Sequence, residues 1–262
     1  MRLIASGEVR LAVYEQGDPA SPTIVLLHGY PDDHRVWDQV AALLQERFHV
    51  VRYDVRGAGG SSAPRAVGDY RLDRLAADMD AVLDAVGKSK VHLAAHDWGS
   101  IQGWYFAGRS DRLASFTSLG GPGLDQAAAF LRQAGPLRAA GQLLRSWYIA
   151  AFQLPVLPEL VMAPLARALG ATAADARNGL KLYRANMAGK LRRPGDPHVN
   201  VPVQLIESTR DHYVSPWLLA SLGQWAPKFR HRRIVADHWA QRSRPETVAA
   251  LIAEFAEWTT GG

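Results

Sequence analysis

Residues 91–100, VHLAAHDWGS, restrict this chain more than any other stretch. Residues 91–95 form a short apolar run of β-branched and small side chains, the pattern of a buried strand. Residues 98–109 then carry Ile101, Trp104 and Tyr105 at helical spacing. A strand that turns at once into a helix through Ala95-His96-Asp97-Trp98-Gly99, with small residues around an acid, is a nucleophile elbow. The flanking residues are small because the backbone passes close to itself there.

A serine in such an elbow attacks acyl carbons. A carboxylate instead attacks a saturated carbon bearing a leaving group and becomes an alkyl ester. Water must then attack the carboxyl carbon of that ester, so an oxyanion hole serves the second step. The competing reading of Asp97 is a helix N-cap whose charge the helix dipole favours. The company Asp97 keeps decides between the two.

Before the elbow, residues near Leu3 and residues 9–15 pattern as a hairpin, and residues 23–27 (TIVLL) as a buried strand. His28-Gly29-Tyr30-Pro31 follows that strand. The glycine permits a tight turn that presents backbone N–H groups, so the N–H of Tyr30 is a candidate oxyanion donor, paired with that of Trp98. His28 reads as a hydrogen-bonding strut, and Asp32, Asp33 and His34 as the opening and first turn of a helix.

Residues 49–53 form another strand, leading into Asp54-Val55-Arg56-Gly57-Ala58-Gly59. The third glycine of a dinucleotide loop is missing, so Asp54 and Arg56 read as ties within a structural turn. Leu72, Leu75, Met79, Val82, Leu83 and Val86 continue at helical spacing. This alternation implies an α/β fold with a mostly parallel sheet covered by helices on both faces. Ligands of such sheets bind beyond the carboxyl ends of the strands, where the Tyr30 turn and Asp97 both lie.

The pattern breaks after the strand 114–119. Residues 123–197 are predicted to be helical, an inserted lid (cap) over Asp97, between core segments 1–122 and 198–262. This lid holds ten Lys/Arg against four Asp/Glu, so +6 of the chain's net +5 resides there and the remainder carries −1. That excess reads either as a solvated face or as attraction to an anionic substrate tail, partner or lipid surface.

Regular alternation resumes with a strand at 203–207 and another at 232–235. Asp211 stands just past the first, and Asp237-His238-Trp239 just past the second. Nucleophile, acid, then histidine is the chain order this architecture uses. His238 is thus the candidate base, with Asp211 fixing its tautomer. Asp237 and His212 compete for these roles but adjoin the residues they would serve. Ser243-Arg244-Pro245-Glu246 reads as a capping box for a final helix.

The chain has no cysteine, so thiolate chemistry, disulfides and cysteine metal sites are excluded. No recognition helix or zinc-finger pattern accompanies the basic charge, which argues against nucleic acid. No stretch is long and apolar enough to span a membrane, and the first residues lack a signal-peptide core. A soluble, cytoplasmic enzyme without metal or cofactor is expected.

His28-Gly29-Tyr30-Pro31, Asp54-x-Arg56-Gly57-x-Gly59, His96-Asp97-Trp98-Gly99, Asp211 and His238-Trp239 together resemble the α/β-hydrolase-fold epoxide hydrolases over essentially the whole chain. The stretch from Trp147-Tyr148 to Pro155 is similar to that family's first lid-tyrosine segment, and Leu182-Tyr183-Arg184-Ala185-Asn186 to its second. The resemblance implies that Tyr148 and Tyr183 hold and protonate an epoxide oxygen while Asp97 opens the ring. It is nearest to the hydrolase domain of mycobacterial proteins that carry a dehydrogenase-like domain behind it. Such a fused domain and a homodimer are the partners left open, and the basic, apolar lid suggests a lipid-like epoxide with an anionic group. Haloalkane dehalogenases share the Asp-Trp elbow but commonly place asparagine where Tyr30 stands. A dehalogenase and a non-catalytic binding module are therefore the alternatives.

Overall fold

The computed structural model describes residues 1–168 and 170–260. Eight strands, β1 (Arg2–Ser6), β2 (Val9–Gln16), β3 (Thr23–Leu27), β4 (His49–Tyr53), β5 (Val91–His96), β6 (Leu113–Leu119), β7 (Val203–Ser208) and β8 (Phe229–Ile234), form one sheet. Their spatial order is β1-β2-β4-β3-β5-β6-β7-β8. The first hairpin runs antiparallel and pairs antiparallel with β4, and every later pairing is parallel. Every residue of β3, β4 and β5 is buried, as expected of central parallel strands covered on both faces.

Helices α1 (Asp38–Leu44), α2 (Leu72–Ala85) and α3 (Trp98–Ala107) alternate with the early strands. After β6 come α4 (Leu124–Gln133), α5 (Pro136–Arg145), α6 (Trp147–Ala151), α7 (Leu157–Ala168) and α8 (Ala173–Arg192), the inserted cap. The chain then returns through α9 (Pro216–Ser221), α10 (Ala240–Ser243) and α11 (Pro245–Thr260). One core layer packs Trp37, Val40 and Leu44 against Val248 and Ile252 beneath the sheet. The other joins Leu27, Leu93 and Phe116 to α2, α3 and the cap residues Leu180 and Tyr183. α8 opens on a capping box, the Thr172 hydroxyl accepting from Asp175 N–H while Asp175 accepts from Thr172 N–H.

Two sequence expectations need correction. The last strand begins at Phe229 and ends at Ile234, not over 232–235, because its register with β7 starts at Val203–Phe229. Its sequence, FRHRRI, places Arg and His on a half-exposed edge and hides the strand from an apolar pattern. Ser243 does not cap α11 either. It ends α10, and its hydroxyl donates to Asp237 Oδ1 and the Trp239 carbonyl, while Pro245 takes the first helical position.

Candidate active site

The elbow is built as its sequence requires. Asp97 N–H donates to Leu119 O at 2.9 Å, fixing the turn to β6, and Asp97 adopts φ +51°, ψ −120°. Holding a non-glycine residue there costs on the order of 1–3 kcal/mol. Gly99 has no alternative, since a Cβ would lie 2.5 Å from the carbonyl oxygens of Leu27 and His28. The turn places the carboxylate just past the carboxyl end of β5, in the lining of a cavity. It makes no capping bond to α3, so the helix-cap reading of Asp97 fails.

Asp97 Oδ1 instead accepts the Tyr30 N–H at 2.8 Å across the sheet. Gly29 permits this approach, because a Cβ there would meet the Asp97 side chain at 2.5 Å. The Trp98 N–H opens α3, where leading N–H groups have no intrahelical acceptor. Asp97 Oδ2 lies 3.7 Å from His238 Nε2, and His238 Nδ1 is 2.7 Å from Asp211 Oδ2. The second oxygen of Asp211 accepts the Tyr213 N–H at 2.7 Å, fixing its plane. The three residues chosen from sequence thus form one connected line, brought together from the ends of β5, β7 and β8.

Burial opposes charge on His238, yet its contacts with Asp211 and Asp97 outweigh it and raise the imidazole from 6.5 to about 10. Burial likewise opposes charge on Asp97 and Asp211, but the imidazolium and backbone N–H donors hold both carboxyls below the ordinary value. The resting triad is therefore carboxylate, imidazolium, carboxylate. His96 is fully buried and pushed down to about 3 by burial and by the His238 charge, so it is neutral. Its Nε2, 2.9 Å from the His238 carbonyl, then carries the proton and donates it.

The cap closes over this line. Tyr148 and Tyr183 bring their rings to 6.2 Å between centroids, and both line the cavity that contains Asp97 and His238. Burial raises both phenols above the ordinary 10; the Asp97 charge adds to this at Tyr148, and at Tyr183 first Tyr148 and then Asp97. Both are neutral donors. That cavity encloses about 1030 Å³, and a second of about 380 Å³ shares Asp97, Trp147, Tyr148, Tyr183 and Tyr213 with it. Tyr30 anchors the cap through its hydroxyl, which donates to Ala176 O at 3.0 Å, and α8 meets its ring at Gly179.

The remaining candidates fall outside the line. Asp237 is exposed and accepts from Trp239 N–H and Ser243; His212 is exposed, and its carbonyl accepts from Arg145. His28 is the expected strut, its Nε2 accepting from Val55 N–H at 2.9 Å. Asp54 ties its turn through Gly60 N–H and His34, but Arg56 reaches beyond the turn to a bidentate pair with Asp78 on α2, 2.6 Å at each contact. Asp33, His34 and Asp54 present ligand-type atoms within 4.8 Å of one another. Their hydrogen bonds to one another and to Arg35 account for that proximity.

Sequence reasoning missed two supports. Asp32, read as a helix opening, is buried and accepts from Trp239 Nε1 at 2.8 Å and Arg242 Nη2 at 2.6 Å, joining the turn after Tyr30 to the His238 loop. Tyr213 packs its ring 4.8 Å from His238 and 5.7 Å from Tyr148. Only its place two residues after Asp211 could have drawn attention to it.

Similarity to known proteins agrees with this architecture. The chain is 38% identical over 295 residues to the probable oxidoreductase EphD of Mycobacterium tuberculosis, covering 99% of this chain and 50% of that protein. It is 34% identical over 197 residues to epoxide hydrolase A of Mycobacterium tuberculosis, covering 74% of this chain and 56% of the relative. The chain thus spans about half the length of these curated relatives. Among solved structures, a mutant epoxide hydrolase from Bacillus megaterium in complex with its product superposes with a TM-score of 0.82, covering 98% of this chain and 100% of that one. At 24% identity that match concerns the fold. No helix of the described residues is long and apolar enough to cross a membrane. Residues 22–191 match the alpha/beta hydrolase fold family directly, and with the elbow, sheet order and inserted cap in place, the chain belongs to that family.

Proposed function

We propose that the chain is an epoxide hydrolase, converting an epoxide to a vicinal diol without a cofactor. One observation carries the reading: a strained, partly buried Asp97 carboxylate shares a cavity with two neutral cap phenols and faces an imidazolium at 3.7 Å. The name borne by the relative that is 34% identical supports it.

In the first step an Asp97 oxygen attacks an epoxide carbon, the C–O bond to the ring oxygen breaks, and Tyr148 or Tyr183 protonates that oxygen. Ring opening leaves an alkyl ester on Asp97, an alcohol and a phenolate. Esterification removes the negative charge beside His238. Two unit charges about 4 Å apart attract by about 4 kcal/mol at an effective dielectric of 20. At 1.36 kcal/mol per pH unit, losing that attraction lowers the imidazole by roughly 3 pH units, from about 10 toward 7. The proton His238 sheds balances the one the phenolate regains. His238 thereby becomes a base only once the ester exists, and Asp211 keeps its Nε2 free to take a proton from water. That water attacks the ester carbon, and the Tyr30 and Trp98 N–H groups receive the developing oxyanion. The bond from that carbon to the alcohol oxygen then breaks, and the departing oxygen takes the proton held by His238. The diol leaves with an oxygen that began on Asp97, and the Asp97 carboxyl returns its proton to His238.

Residues 123–197 act as the cap that supplies the phenols and excludes water, with 1–122 and 198–262 as core. The apolar lining suits a long, lipid-like epoxide. A dehydrogenase-like domain behind the chain is part of the proposal, supported by the doubled length of the EphD relative. A cytoplasmic location belongs to the same reading, to be checked by cell fractionation. Tyr30 uses its N–H on Asp97 and its hydroxyl on the cap, and carries no side-chain amide to hold a halide as the asparagine of a dehalogenase does. Incubation with aryl and fatty-acyl epoxides should yield diols. Halide release from haloalkanes, or no turnover of any epoxide, would reject the proposal.

A further inference from the structure

The mouth of the larger cavity is ringed by large apolar side chains that water reaches. Leu144, Trp147, Leu157, Val161, Leu165 and Trp217 line it, each between 48% and 75% exposed. On α7, residues 157, 160, 161 and 165 recur at the spacing of one helical stripe, and Leu160, 66% exposed, continues that stripe away from the cavity. On α5, Leu137, 88% exposed, lies two turns before Leu144 on the same face, with Arg138 and Arg145 beside the two leucines. A monomer rarely leaves so much contiguous apolar surface uncovered without a partner for it.

The charge around this rim identifies the partner. Every cap carboxylate is engaged: Asp125 with Lys190, Glu159 with Arg184, Asp175 with Thr172 and the Gly59 N–H, and Asp196 with His198. Arg138, beside Leu137, has no carboxylate partner among the described residues, and Arg145, which lines the cavity, donates its hydrogen bond to the His212 carbonyl. Trp147 and Trp217 add the two amphipathic rings that settle at a boundary between apolar and aqueous phases.

We propose that this rim docks the protein on an anionic lipid surface, with the cavity mouth facing the lipid. A second copy of the chain fits less well, because two-fold pairing sets the same patch against itself and brings Arg138 and Arg145 toward their own counterparts. An anionic bilayer complements both the leucines and the arginines. An apolar ligand could then pass from lipid to Asp97 without crossing water. The docking itself is independent of the reaction.

The test is co-sedimentation of the full chain with vesicles of phosphatidylcholine alone and of phosphatidylcholine with one-third phosphatidylglycerol. Binding to the anionic vesicles should exceed binding to neutral ones by roughly tenfold or more, and should fall with added salt. The double substitution Leu137→Glu and Leu160→Glu, at exposed positions outside the cavity lining, should abolish binding without lowering Tm. Arg138→Glu should weaken binding to anionic vesicles and leave neutral ones unaffected. Wild-type protein that stays in the supernatant, or a double variant that binds as well as wild type, would overturn the proposal. So would sedimentation velocity showing a dimer that the double variant dissolves, with no vesicle binding by either protein.

Discussion

Substituting Asp97 by Asn should convert His238 from a cation at neutral pH into a largely neutral imidazole. The carboxylate oxygen lies 3.7 Å from Nε2, and both side chains are shielded from solvent, so salt screens the pair weakly. Removing the charge forfeits about 4 kcal/mol of attraction at an effective dielectric of 20. The protonated imidazole loses that support, so its midpoint must fall, by roughly 3 pH units. Asparagine has nearly the shape of aspartate and, being neutral, also imitates the charge of the ester. Nitrogen and proton NMR of the His238 ring between pH 5 and 11 should show a wild-type midpoint at about 10 and a variant midpoint near 7. Stability should follow the same sign. A histidine raised on folding contributes stability that is complete below its unfolded value near 6.5 and lost as pH rises through about 10. The difference in unfolding free energy between wild type and variant should therefore shrink across that window. A variant midpoint still near 10, or a wild-type ring already neutral at pH 8, would refute the coupling. Turnover should vanish in the variant once mass spectrometry excludes deamidation.

Changing Tyr148 or Tyr183 to Phe should each slow ring opening within about 10²–10⁴-fold, and the double change should nearly abolish it; single-turnover alkylation of Asp97 reads this directly. His238→Gln should open the ring but stall at the ester, leaving substrate mass on the peptide that contains Asp97. Gly29→Ala should displace Asp97, since the new methyl would sit 2.5 Å from its side chain, lowering both Tm and alkylation rate. Arg56→Ala leaves Asp78 buried and unpaired and should cost about 3–5 kcal/mol in urea unfolding, with little change in the rate of surviving folded enzyme.

Much of this site was legible because its information is local. The elbow compresses strand, strained turn and helix into ten residues, and Asp211 and His238 stand just past strands in a chain order that the sheet imposes. Tyr148 and Tyr183 were reached only through family resemblance, since helical spacing alone makes them ordinary packing residues. Asp32 could not be read at all. Its partners, Trp239 and Arg242, lie more than two hundred positions away, and its local pattern imitates a helix start. The misplaced last strand has the same origin: alternate Arg and His on an edge strand erase the apolar period that sequence reasoning follows. Nor did the sequence order reveal that the lid's leucines face water around one opening. That follows from how α5, α6 and α7 are arranged, not from their composition.

The covalent route through Asp97 is tested most directly by a single turnover in ¹⁸O-water with enzyme in excess over epoxide. The expected result is a first-turnover diol that carries no ¹⁸O and an Asp97 carboxylate that has gained it, because water attacks the ester carbon and the diol takes the original carboxylate oxygen. A diol labelled in the first turnover, with Asp97 unlabelled, would mean that water opens the ring itself and would contradict the nucleophile assignment.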